Sequence, residues 1–128
     1  MRPLALAAGF ALIGALAAPS LAFRQAESPA KMLANRTAGP PRECILRSQV
    51  DRTKTFNSGD VLFEMKSGRW YLNHPDPCPN LNSDRALIER SPSLNICRGD
   101  TFEVHDRVSP IGYGRCAYSD FIPYTKSK

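Results

Sequence analysis

The chain has 128 residues, a formal net charge of +5, 8 glycines, 11 prolines and four cysteines. Its basic residues are scattered, with no basic run and no recognisable motif, which argues against a nucleic-acid-binding protein. The same positive sign works at long range against a partner that is itself strongly basic.

The first 22 residues read as a targeting segment. A charged start at Arg2 precedes an apolar run over 4–18, and Ser20-Leu21-Ala22 offers small residues where a signal peptidase cuts. The run is shorter than the roughly 20 apolar residues of a spanning helix. A signal peptide over 1–22 is therefore expected, with a periplasmic or secreted mature chain that does not span the membrane. Residues 23–42 lack a sustained apolar period, and Gly39-Pro40-Pro41 closes them; they read as a flexible leader with a transient helical turn near Lys31 to Ala34.

A single domain is expected over 43–124, followed by a short tail over 125–128. Residues 44–50 alternate, which places Cys44, Leu46, Ser48 and Val50 on one face of a strand. Asn57-Ser58-Gly59-Asp60 is a turn, and Val61 to Met65 is the most strand-like run in the chain. Lys66-Ser67-Gly68 turns it back into Arg69-Trp70-Tyr71-Leu72, predicting a β-hairpin. Three prolines within 74–79 keep that stretch at an edge or corner. Residues 83–90 suit either a short helix capped by Ser83 or a strand. Two further strands are expected over 94–97 and 101–108, the second entered through Gly99-Asp100, and a last one over 115–118. The fold class is all-β or β-rich: a small curled antiparallel sheet or barrel with at most a short helix, stapled by disulfides.

Cys44, Cys78, Cys97 and Cys116 are an even set, and no two have the close spacing of a structural zinc site, so paired disulfides are expected and no metal. Four cysteines allow three pairings; Cys78–Cys97 and Cys44–Cys116 are expected, the first clipping the proline corner to the Gly-Asp turn and the second joining the first and last strands. Oxidised cysteines leave no thiolate nucleophile, and no serine lies in a nucleophile elbow. His105 with Glu103 and Asp106 is the one candidate acid–base group, and His74 reads as a loop residue. A surface strand of mixed charge accounts for Glu103, His105 and Asp106 equally well. Arg69 and Tyr71 are the candidate binding residues, since alternation would bury Trp70 and expose both.

Cys44-Ile45, Val61-Leu62-Phe63-Glu64, Tyr71-Leu72-Asn73, Cys78-Pro79 with Leu81, Ile96-Cys97-Arg98-Gly99-Asp100, and Cys116 with Phe121 and Pro123 together resemble a family of small exported proteobacterial proteins of unknown function. The resemblance covers 43–124 and implies a four-cysteine exported domain without bringing an activity, cofactor or catalytic residue. The function expected on these grounds is a non-catalytic binding or structural module of the envelope, with an envelope protein or cell-wall component as partner. The alternative is a small secreted hydrolase using His105 with Glu103 or Asp106. Mass spectrometry of the exported protein should find a mature N-terminus at Phe23; retention of Met1 would refute the cleavage.

Overall fold

The computed structural model describes residues 27–127 and, ahead of them, residues 9, 11 and 13–17. The expected signal peptide, residues 23–26 and Lys128 otherwise lie outside the described residues. Among those described, no helix is long and apolar enough to cross a membrane.

One helical turn, α1 (Pro29–Met32), is capped by Ser28, whose hydroxyl accepts the Lys31 N–H at 3.3 Å, with Pro29 pre-set for the first turn. Ten strands follow: β1 (Arg36–Ala38), β2 (Cys44–Leu46), β3 (Val50–Thr55), β4 (Val61–Met65), β5 (Trp70–Asn73), β6 (Arg85–Ile88), β7 (Asn95–Cys97), β8 (Thr101–Asp106), β9 (Gly112–Ala117) and β10 (Ile122–Lys126). They form three antiparallel sheets: a five-stranded one ordered β1-β10-β5-β4-β3, a pair β2-β7, and a three-stranded β6-β8-β9. The fold is β-rich with one short helix, as expected, and its sheets stay open instead of closing into a barrel.

The β4–β5 hairpin forms as the sequence predicts, with Phe63 opposite Tyr71 and Glu64 opposite Trp70. Its burial does not follow simple alternation. Phe63 and Tyr71 face the main core, while Leu62, Leu72, Trp70 and Tyr124 face a second cluster closed by Leu33 and Phe56. Because both faces of the sheet are covered, alternation does not separate core from solvent there. Tyr71, expected on the surface, is only 6% exposed. Trp70, expected in the core, is half-buried on the opposite face, with the Arg36 guanidinium 3.4 Å above its ring.

Other expectations change, and one left open is decided. The strand expected over 44–50 breaks after Leu46 into a 3-10 turn, Arg47–Gln49, which carries the chain from the two-stranded to the five-stranded sheet. Ile45, not its neighbours, points inward, because it sits opposite buried Ile96. Residues 83–90 resolve as the strand β6, and Ser83 bonds Asn57 Oδ1 instead of capping a helix. The leader is not loose over 29–42. β1 pairs with β10, Gly39 N–H bonds the Pro123 carbonyl at 2.8 Å, and Arg42 bridges to Phe121. Pro40 and Pro41 sit between these paired points at a sheet edge, where their missing N–H groups remove nothing from a ladder. The same pairing draws Thr125 and Lys126 of the expected tail into β10.

The turns Gly59-Asp60 and Gly99-Asp100 both require a left-handed glycine, with φ of 86° and 88°. The core between the sheets is aromatic: Phe63, Phe102, Tyr118 and Phe121 lie with ring centroids 4.6 to 5.8 Å apart. Asn73 is fully buried, yet its amide is satisfied by the Ser119 carbonyl at 2.8 Å and the Ser119 N–H at 3.1 Å.

All four cysteines are paired, but as Cys44–Cys97 and Cys78–Cys116, which overturns the expected connectivity. Cys44 and Cys97 are direct cross-strand partners in β2–β7, with Cα atoms 4.0 Å apart. Cys78 in the proline corner reaches Cys116 on β9 instead of the Gly-Asp turn. The bridges span 53 and 38 residues, so chain-entropy arithmetic gives about 4 kcal/mol to each. Against a net stability of about 5 to 15 kcal/mol, losing both should remove most of it. Non-reducing peptide mapping should therefore recover the Cys44–Cys97 and Cys78–Cys116 pairs, and reduction should abolish the cooperative thermal transition; a reduced protein melting as the oxidised one does would contradict this.

Candidate functional site

Of the three residues in the candidate acid–base group, the fold brings two together. Glu103 and His105 lie two apart on β8, and Glu103 Oε2 is 2.9 Å from His105 Nε2. Arg115 on the neighbouring strand donates to Glu103 at 3.0 Å, and Arg90 donates at 3.3 Å. Asp106 is turned away, its carboxylate accepting the Val108 N–H at 3.0 Å. The hydrogen bond from His105, then that from Arg115 and the lesser pull of Arg90, hold the Glu103 carboxyl down at about 2, outweighing a desolvation that acts the other way. A general acid or base works best with a pKa near the operating pH, and Glu103 is far below it. This group is an arginine-anchored carboxylate on a sheet surface. His74, in the proline corner, bonds Asp60.

Arg69 and Tyr71 are also neighbours, with Arg69 Nη1 3.5 Å from the Tyr71 hydroxyl, but only Arg69 is positioned to reach a partner. Tyr71 belongs to the main core. Arg69 borders three adjoining hollows. It shares two with Arg42: one of about 220 Å³ against Cys44, Ile45 and Met65, and one of about 320 Å³ against Pro40, Pro41 and Pro123. The third, of about 540 Å³, it shares with Lys126 and the hairpin turn. No carboxylate lines any of the three. Among the described residues Arg42, Arg69 and Lys126 make no ion pair, whereas Arg47, Arg52, Lys54, Arg90, Arg98 and Arg115 are each paired. This flank thus presents three cations with no carboxylate lining its hollows. Arg42 and Lys126 carried no signal in the sequence, because β10 and the chain before β2 bring them beside the hairpin.

A third feature, also invisible in the sequence, is a cleft of about 470 Å³ where β3 and β4 meet β6 and β7. Val50, Phe63, Leu87 and Ile96 line it, with Arg47, Glu89 and Arg107 among its polar groups. Arg47 is ion-paired with Glu89, which also accepts the Tyr118 hydroxyl. Burial, and then the Glu89 carboxylate, push the Tyr118 phenol well up, so it stays a neutral donor.

The depressed Glu103 pKa has a consequence for stability. Its ionised form is favoured by folding, so the contribution is present above the ordinary carboxyl value of 4.5 and is lost as the pH falls toward 2. Melting temperatures of native protein and Glu103→Gln, measured across that window, should converge as the pH falls; a constant gap between them would show that Glu103 contributes no such linkage.

No protein-family model, no curated protein and no solved structure matches this chain.

Proposed function

We propose that this chain is a non-catalytic binding module of the cell envelope, periplasmic or secreted, which holds an anionic protein or cell-wall component against the Arg69 flank. The observation that carries the reading is the acid-free surface on which Arg42, Arg69 and Lys126 border three adjoining hollows. Unpaired guanidinium groups are the strongest donors to carboxylate and phosphate, and arginine is enriched in binding hot spots. Export is supported by two disulfides, which persist in oxidising compartments, together with the N-terminal charge and hydropathy pattern. The resemblance to the exported four-cysteine family points the same way. Against the hydrolase alternative stand Asp106, turned away from His105 to accept the Val108 N–H, and the two arginines that already engage Glu103.

The test is capture from envelope extract by the disulfide-bonded protein. Arg69→Ala and Arg42→Ala should each reduce capture severalfold while leaving the melting temperature nearly unchanged, and added salt should weaken capture by the native protein, since exposed charges are screened over about 8 Å at physiological ionic strength. Unchanged capture by both variants would remove the flank from the function. A measured turnover lost in His105→Ala without unfolding would replace this reading with the hydrolase.

A further inference from the structure

The cleft between the sheets is separate from the arginine flank, and its chemistry is different. Its floor is apolar, from Val50, Phe63, Leu87 and Ile96, and its volume of about 470 Å³ falls in the range of small-molecule sites. The residues come from β3, β4, β6 and β7, so the cleft is built by how the sheets meet and is present without any rearrangement.

The polar groups around it are unequal. Arg47 and Glu89 cancel one another, and the Tyr118 hydroxyl adds a further bond to Glu89. Arg107 has no such partner. Among the described residues its guanidinium meets Thr55 Oγ1 at 3.2 Å and no carboxylate. The Thr55 hydroxyl donates its own proton to the Arg85 carbonyl, also at 3.2 Å, so toward Arg107 the oxygen acts as acceptor. That bond places one N–H of Arg107 and leaves its other donors for a ligand. The cleft therefore carries a single unbalanced positive charge at its exposed edge, beside an apolar floor.

From this arrangement we propose that the cleft binds an amphipathic monoanion, a carboxylate or sulfonate whose headgroup pairs with Arg107 while a short acyl or aromatic body lies on Val50, Leu87 and Phe63. A cation would be repelled by Arg107. A neutral amphiphile would bury the floor without pairing the guanidinium. A dianion would find no second unbalanced cation there and would bring its extra charge toward Glu89.

The probes are sodium decanoate, naphthalenesulfonate, decanol and decyltrimethylammonium bromide, each titrated calorimetrically below its aggregation limit into the disulfide-bonded protein. At least one of the two anions should bind, and which of them binds better reports whether the body is a chain or a ring. Decanol should bind at least tenfold more weakly, and the ammonium compound should not bind. Arg107→Gln should weaken the anion by roughly tenfold or more, the usual size of a lost charge-assisted bond. Arg107 is exposed, so the variant should keep the native melting temperature. Thr53→Phe, which adds a ring on the cleft face of β3 opposite Phe63, should abolish binding, whereas Arg69→Ala should leave it unchanged. Failure of both anions to bind, equal binding of decanoate and the ammonium compound, or full affinity in Arg107→Gln would each overturn the assignment.

Discussion

Everything in this fold depends on four aromatic rings that belong to different parts of the chain. Phe63 comes from the five-stranded sheet and Phe102 from the three-stranded one, while Tyr118 and Phe121 come from the connection between β9 and β10. The three sheets meet by covering these rings, and the five-stranded sheet buries its other face against Leu33 and Phe56. Tilted and edge-on aromatic contacts of this kind add about 0.5 to 1.5 kcal/mol per pair beyond the area they bury. The two-stranded sheet joins through Ile45 and Ile96, and the disulfides hold the outer pieces against the centre. Tyr118 does two jobs: its ring is core, and its hydroxyl fixes Glu89 at the edge of the cleft.

What could be read from the sequence was local, and what could not was long-range. The β4–β5 hairpin and the glycine turns before β4 and β8 are written in adjacent residues and form where expected. The cysteine pairing depends on which strands become neighbours. β2 chooses β7, and that choice rests on Ile45 meeting Ile96 across a gap that no local pattern encodes. Tyr71 is buried by the main core, and Trp70 is half-buried because α1 and Leu33 cover the second face of the sheet, in a stretch whose prolines suggested a loose leader. Glu103 and His105 were legible as neighbours on one strand face. Their meaning was not, because the arginines that fix Glu103 arrive from residues 90 and 115.

The distribution of charge links the architecture to its proposed roles. Several cations are neutralised by carboxylates across strand pairs or loops, such as Arg115 with Glu103 and Arg98 with Glu43 and Asp120. Of the cations without such a partner, two sets border hollows. Arg42, Arg69 and Lys126 gather where β10 and the β4–β5 turn meet, and Arg107 stands alone by the inter-sheet cleft. The first arrangement suits an extended anionic surface and the second a single small anion. A uniform net charge in the sequence thus becomes two distinct surfaces through folding alone.

The order of the paired cysteines has a kinetic consequence. The bridges interleave: Cys44 waits for Cys97, and Cys78, which lies between them, waits for Cys116. A chain emerging N-terminus first presents Cys44 and Cys78 together before either native partner exists. An oxidant acting on the nascent chain would join those two, and thiol–disulfide exchange would then have to undo the bond through a mixed-disulfide intermediate. The native bridges form directly only if oxidation is delayed until the aromatic core has set β2 beside β7. Such a chain depends on an isomerase, or on slow oxidation, to a degree that a sequentially paired one of the same size would not.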